Sequence, residues 1–499
     1  MTTKPAVTRW FGLWCGVLLA VGIALIGGLA WQAYRSSQQS FGPTRQFPRE
    51  NEHTRLREAR IAAAPPAPAG ELSLAAFYAL QTIDEAQFKI AADQVRVGWR
   101  HGYTPMLLEI VRFSPNPTHR RAMYSLIDAL TGQPFEGDTD DAWRWVWARA
   151  YEPHPHYAAF KAEIYRLIDP DFEAYFDGDT DTATMRLDEI RWGGVERDGI
   201  PPLDHPAAVA AEDDEADYLG EDDIVFGVMI HGQARAYPKR ILGWHEMVKD
   251  TVGGVSVNGV YCTLCGSMIF YNTVCEGTHY ELGTSGFLYR SNKVMYDHAT
   301  ESMWSTLTGE PTVGPLVGQG IKLEALPVVT TTWGEWRRRH PETTVLSLRT
   351  GHDRDYREGE AYRDYFASDQ LMFEVPQTDP RLANKAEVLV LRFGEADTPP
   401  VVIDTAYLAE HPVYQGRLGG QDYVILTDAT GASRVYVADG LVFSAYDAEE
   451  AVATSDGGVW RATEAGLVSA AGEVLPRLPV HRAFWFGWYA AHPDTVLIP

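Results

Sequence analysis

From Trp10 to Tyr34 no charged residue interrupts the chain. As a helix rising about 1.5 Å per residue, that run spans on the order of 37 Å, enough to cross a bilayer core with some tilt. Lys4 and Arg9 precede it, and Trp10, Trp14, Trp31 and Tyr34 suit its two interfaces. The run is longer than the apolar region of a usual signal peptide, and no clean Ala-x-Ala site follows it. Residues 1–34 therefore predict an uncleaved transmembrane signal anchor, with a cleaved signal as the alternative. Residues 35–70 are polar and then rich in Ala and Pro, which suits a semi-extended stalk. Across 71–185 apolar positions recur at helical spacing in LSLAAFYAL, PMLLEIVRF, RAMYSLIDAL and DAWRWVWARA, between Gly, Pro and Asn turns. Short helices joined this way predict a small HEAT-like domain, a form that usually offers a surface to a protein partner.

Beyond Arg191 the period shortens to two. DDIVFGVMIHGQARAYP, TVGGVSVNGVYC and SMIFYNTVCEGTHYEL are successive strands and hairpins broken by Gly-Gly, Asn-Gly and similar turns. The β region is also duplicated. LPVVTTTWGEWRRRHPETTVL and LPVHRAFWFGWYAAHPDTVLI pair Trp333 with Trp485, Trp336 with Trp488 and His340 with His492 at one constant offset. Upstream, a second constant offset pairs Gly253 with Gly419 and Ser267 with Ser433, and DIVFGVMIHGQA echoes EVLVLRFGEADT. A β unit of about 120 residues thus occurs twice, as residues 186–350 and 351–499, and the two pack as a pseudo-symmetric pair. The fold class is α+β: a membrane helix, a helical domain and a mainly β domain of two copies. The shared Trp-x-x-Trp and His-Pro are architecture, a short helix with aromatics on adjoining turns that proline stops.

A net charge of −24 argues against a nucleic-acid surface. The acidic runs at Glu212–Glu215 and Glu221–Asp223 are solvated turns on this reading. A long domain behind a first anchor faces out of the cytoplasm, which in a bacterium means single-pass attachment to the inner membrane with the bulk in the periplasm. Thiols there tend to be oxidised unless a metal or a reductase protects them. The chain has four cysteines, and Cys15 falls within the apolar run, so an odd number follows the anchor.

At its β motifs the chain resembles the domain of unknown function 3179 family (DUF3179), from about Asp198 to the C-terminus. The resemblance rests on DGIPPLDHP, GQARAYP, GWHEMVKDTVGG, YCTLCGSMIFY, GTSGFLYRSNKVMYDHATESMW, LTGEPTVGPLVG and TTWGEWRRRHPETTVLS, in that order. The family pattern usually has proline where this chain has Thr263, which implies a less rigid loop here. In the family the second cysteine position is sometimes Thr, so the resemblance does not imply an obligatory disulfide. It implies a fold and its boundaries, not a reaction.

Chemistry concentrates at Cys262 and Cys265. Cys-x-x-Cys can hold a soft metal, exchange electrons with a partner thiol, or close a structural disulfide. In the second copy the same positions are Asp428 and Gly431, so sulfur is not needed to build the unit. For copper or zinc the nearest third ligand is His245, although it aligns near His411 of the other copy. The runner-up readings are a non-catalytic envelope scaffold with a structural disulfide, and a thiol–disulfide oxidoreductase. Tyr261, Ser285 and Asn292 are candidates to line a ligand pocket. Asp297, Thr300 and Ser302 suit a hairpin turn. Arg235 and Glu246 complete the candidate set, either as an ion pair or with Arg235 on an anionic ligand. No Gly-x-Gly-x-x-Gly, phosphate loop, Gly-x-Ser-x-Gly or His-Glu-x-x-His occurs, which leaves nucleotide, serine-hydrolase and zincin chemistry without support.

Overall fold

ENEHTRLREARIAA is dominated by strong helix formers, and in the computed structural model it is the helix Glu50–Ala63. The structure describes residues 50–114, 116–177, 180, 182–393 and 398–498. The expected anchor, 1–34, lies outside them, and no helix among the described residues is long and apolar enough to cross a membrane. The expected extended stalk is corrected for its second half. Arg57 and Arg60 are buried there, and Arg60 Nη2 donates to Gln81 Oε1 at 2.8 Å, so this helix belongs to the folded body.

The HEAT-like expectation is also corrected. Helix Thr104–Arg112 is buried from Thr104 to Val111. It packs against Leu74–Ala79, Pro117–Thr131, Thr139–Trp147 and Tyr157–Tyr165 alike. A solenoid repeat touches only its neighbours, whereas here a central helix is enclosed by four others. The same apolar core continues into Ile190, Phe287, Val294 and Met303 of the first β sheet. The change of texture near residue 186 is therefore a change of secondary structure within one core.

The β region repeats in register as well as in sequence. In the first copy, strands Val329–Thr332, Ile224–Ile230, Gln233–Pro238 and Thr344–Leu346 lie side by side in that order. In the second, His481–Phe484, Glu387–Leu391, Val401–Asp404 and Val496–Ile498 do the same. Val329 faces Gly227 as His481 faces Val390, and the last strand of each set runs parallel to its neighbour. Helices Trp333–Arg339 and Trp485–Ala491 follow the matching strands, and in both the second tryptophan rests on its histidine, at 4.2 and 4.3 Å between ring centres.

A three-stranded meander also matches: Met247–Val252, Val255–Cys262 and Ser267–Asn272 against Val413–Leu418, Gln421–Thr427 and Ser433–Val437. There the pairing slips by one at the turn. Tyr261 faces Met268, while Thr427 faces Ser433, so the structural equivalent of Ser267 is Ala432 rather than Ser433. After the meander the copies diverge. The first continues into the sheet that carries Leu282–Tyr289 and Asn292–Asp297, and the second into a five-stranded antiparallel sheet from Phe443 to Pro476.

The copies exchange contacts at these turns. Strand His481–Phe484 of the second lies against Ser267–Asn272 of the first, and Phe484 N–H donates to Cys265 O at 2.7 Å. Conversely Arg339, on the first copy's helix, approaches Asp428 of the second to 3.9 Å. Each copy's meander turn thus sits at the junction with the other copy.

Candidate functional site

The first copy's junction turn is Thr263–Gly266, between strands Val255–Cys262 and Ser267–Asn272. Gly266 closes it at φ +61°, and a Cβ there would lie 2.8 Å from the Phe484 ring, so both backbone and neighbour require glycine. Cys265 N–H donates to Cys262 O at 3.1 Å, a single tight turn that brings the two side chains to one side. Both thiols face the carbonyl of Ser291, Cys265 Sγ at 3.2 Å and Cys262 Sγ at 3.8 Å. Arg290 and Ser291 form a two-residue hairpin loop with φ of +49° and +68°. That conformation normally selects Asn or Gly. Here it turns the Ser291 carbonyl toward the sulfurs.

Both thiols are free and essentially sealed, at 2% and 0% exposure. Phe484 and Phe486 of the second copy cover them from one direction. The irregular linker between the copies covers them from another, with Tyr365 O–H donating to Leu264 O at 2.7 Å. Gly487 faces Cys265 so closely that an added Cβ would lie 2.9 Å from both its Cβ and its Sγ. Gly487→Ala is accordingly expected to displace the Cys265 thiol from the Ser291 carbonyl and to destabilise the fold by about 1–3 kcal/mol through overpacking. Urea unfolding checks the second effect and the alkylation rate of Cys265 the first; unchanged values of both would refute the contact.

A buried ion pair lies within electrostatic reach of the thiols. Lys293 Nζ meets Glu246 Oε2 at 2.5 Å, and both side chains are less than a tenth exposed. Glu246 Oε1 accepts from Thr263 Oγ1 at 2.6 Å and from Tyr362 O–H at 2.8 Å. Thr263, which stands where the family pattern has proline, thereby ties the cysteine turn to the carboxylate. Glu246 holds φ +56° as the left-handed cap of helix Lys239–His245, which turns its side chain inward.

The two thiols differ in acidity. Burial pushes Cys262 up and Glu246 adds to that push. The Cys265 thiol, with the backbone N–H groups of Lys293 and Cys265, donates to Cys262 and holds it below the ordinary thiol range. Cys265 lies well above that range, through burial first and then through its place as donor beside the Cys262 charge. Cys262 is the acid of the pair.

Several expected residues are not brought to the thiols. His245, the expected third metal ligand, has both ring nitrogens engaged elsewhere, Nδ1 with Pro201 O at 2.9 Å and Nε2 with the Tyr356 hydroxyl at 2.6 Å. Burial pushes its pKa down to about 4. No group of three or more potential ligands gathers among the described residues. Arg235 pairs with Asp250 at 2.6 Å, not with Glu246. Tyr261 points to the opposite sheet face and packs on Phe226, 5.0 Å between ring centres. Ser285 bonds Val294 O at 2.6 Å within its own hairpin. Asn292 stands beside the site, where its Nδ2 donates to Gly487 O at 2.9 Å and links the copies. Asp297 accepts from the Thr300 amide at 2.8 Å and caps the hairpin turn. Sequence reasoning missed Lys293, whose signal is a lone cation in the alternating run NKVMY, and Gly487, which carries no local signal.

Fold and site together define a duplicated β protein with a buried dithiol at the junction of its copies, preceded by a helical region that shares its core. The chain belongs to the family described as "Protein of unknown function (DUF3179)", whose pattern matches residues 197–495 and so spans both copies. No curated protein and no solved structure matches the chain.

Proposed function

We propose that the chain is a thiol–disulfide redox protein whose reactive pair is Cys262 and Cys265. The observation that carries this reading is two thiols of opposite acidity converging on one carbonyl beside a buried carboxylate–ammonium pair. The co-reactant is a low-molecular-weight disulfide, admitted when the linker over Leu264 moves. The Cys262 thiolate attacks one sulfur of that disulfide, forming a mixed disulfide and releasing the first thiolate. Cys265 then attacks Cys262 Sγ, its proton passing to the departing thiolate. The mixed disulfide breaks, the Cys262–Cys265 disulfide forms and the second thiolate leaves. The protein dithiol gives up two electrons and two protons, and the small disulfide becomes two thiols. The uncharged run Trp10–Tyr34 supports placing this chemistry in the periplasm, behind an inner-membrane anchor.

The test equilibrates the full-length chain in mild detergent with reduced and oxidised glutathione, quenches it in acid and counts free thiols by mass labelling. The pair is expected to switch together between two free thiols and none at a single midpoint. Cys265→Ser is expected to trap glutathione on Cys262. A pair that stays reduced across the range, or that stays closed in excess dithiothreitol as a structural disulfide would, overturns the proposal.

Convergence of the two sulfurs also favours a second reading, a soft monovalent ion such as copper(I) held by two thiolates. Zinc, which takes four ligands in structural sites, has too few donors among the described residues. Stoichiometric copper in reduced protein, lost in the Cys262→Ser, Cys265→Ser variant, would select this reading over redox exchange.

A further inference from the structure

On the far side of Ser291 lies a cavity of about 110 Å³, enclosed by Trp147, Arg191, Leu288, Leu371 and Phe373 among others. At about 30 Å³ per water it has room for roughly three to four waters, or for one organic molecule of about five heavy atoms. Its charges are mostly matched. Arg290 pairs with Glu189, and Glu374 pairs with Arg144. Asp140 stands at the exposed mouth.

Arg191 is the exception. Its guanidinium lies over the indoles of Trp143 and Trp147, at 4.3 and 5.6 Å from the ring centres. Its Nε is buried with no hydrogen-bond partner. No carboxylate among the described residues makes ion-pair contact with it. An arginine held on aromatic faces keeps the edge of its planar fork for an acceptor in the same plane. Arg191 as a whole is half-buried, but a buried N–H donor such as its Nε is costly to leave without an acceptor. Leu288, Leu371 and Phe373 supply an apolar side to a wall that is otherwise largely polar and charged, and the space is too short for a large ligand.

We propose that this cavity binds a small carboxylate-bearing molecule, its carboxylate on the Arg191 edge and its short carbon chain against Leu288, Leu371 and Phe373. The cavity adjoins the thiols through Ser291 and Leu371, but the proposal does not rest on the redox reading.

The test titrates full-length protein with propionate by calorimetry, with propionamide as the neutral isostere and sulfate as a tetrahedral oxyanion. Propionate is expected to bind saturably, and the other two roughly ten-fold or more weakly. Arg191→Gln is expected to lose roughly ten-fold or more of the affinity. Leu371→Trp, which fills the cavity from the linker and leaves Arg191 in place, is expected to lose binding as well, so a folding defect in one variant does not decide the matter. The Cys262→Ser, Cys265→Ser variant is expected to bind propionate like the wild type. Absence of saturable propionate binding, equal binding of propionamide, tighter binding of sulfate, or undiminished affinity in folded Arg191→Gln would each overturn the assignment.

Discussion

Lys293→Met is expected to destabilise the folded chain by about 3–5 kcal/mol, the usual loss when one partner of a buried ion pair is removed. The substitution nearly conserves volume and shape, so packing contributes little. What changes is charge. Glu246, 4% exposed, would keep only the neutral Thr263 and Tyr362 hydroxyls as donors. Adding Glu246→Gln to Lys293→Met should recover much of the loss, because the uncompensated carboxylate is then gone. Urea unfolding of the wild type, both single variants and the double variant measures the coupling. A Lys293→Met loss below about 1 kcal/mol, or no recovery in the double variant, would show that the pair is not holding this junction. The thiols report independently. An unscreened negative charge disfavours a second one nearby, so Cys262 should become less acidic in Lys293→Met and alkylate more slowly at neutral pH.

The duplication was legible because tryptophans, His-Pro and Gly-Gly recur at fixed offsets, and the structure extends that repetition to strand order and register. Sequence identity establishes which residues are equivalent but not which copy packs on which. The exchange that puts Phe484 and Gly487 of one copy against Cys265 of the other was therefore hidden. The cover over the thiols was hidden for a different reason. The linker around Tyr362 and Tyr365 is largely irregular, and neither the 3.6 nor the 2.0 period marks an irregular segment as buried. Arg235 was correctly assigned to an ion pair but to the wrong acid. Asp250 lies within the neighbouring strand Met247–Val252, whereas Glu246 precedes that strand and its left-handed backbone turns it toward Lys293. His245 had the right residue type for a ligand, yet Pro201 and Tyr356, both remote in sequence, occupy its nitrogens. The helical segments were recognised by period alone, which does not distinguish a stack from a cluster around one central helix.

In the second copy the position of Cys262 belongs to Asp428, and the junction there is expected to fail when its acid partner is neutralised. Asp428 Oδ2 accepts from Arg434 Nη1 at 2.9 Å, and Arg434 Nε donates to Glu464 at 2.7 Å. Arg477 pairs with the other oxygen of Glu464 and reaches across to Val328 O of the first copy at 3.1 Å. His340, on the first copy's helix, lies 3.6 Å from Glu464. Burial alone would raise the Glu464 pKa, but Arg434, Arg477 and His340 outweigh it and hold the group well below its ordinary 4.5. A carboxyl depressed in the folded state adds stability that is complete above its unfolded pKa and disappears as pH falls through the folded one. Glu464→Gln takes from Arg477 its carboxylate partner and from Arg434 one of two, so it should cost about 3–5 kcal/mol at neutral pH. Below pH 4.5 the wild type begins to lose this contribution and the variant has none to lose, so their difference should shrink with further acidification. Urea unfolding at neutral pH and at a series of acid values measures that difference. If it stays constant across the series, Glu464 acts through shape rather than charge. If it narrows, the two junctions are built on different chemistry, fixed charge in one copy and a pair of thiols in the other. Only the thiol junction can change its covalent state without breaking the buried ion pairs around it, and that is the physical reason to seek the reaction at Cys262 and Cys265.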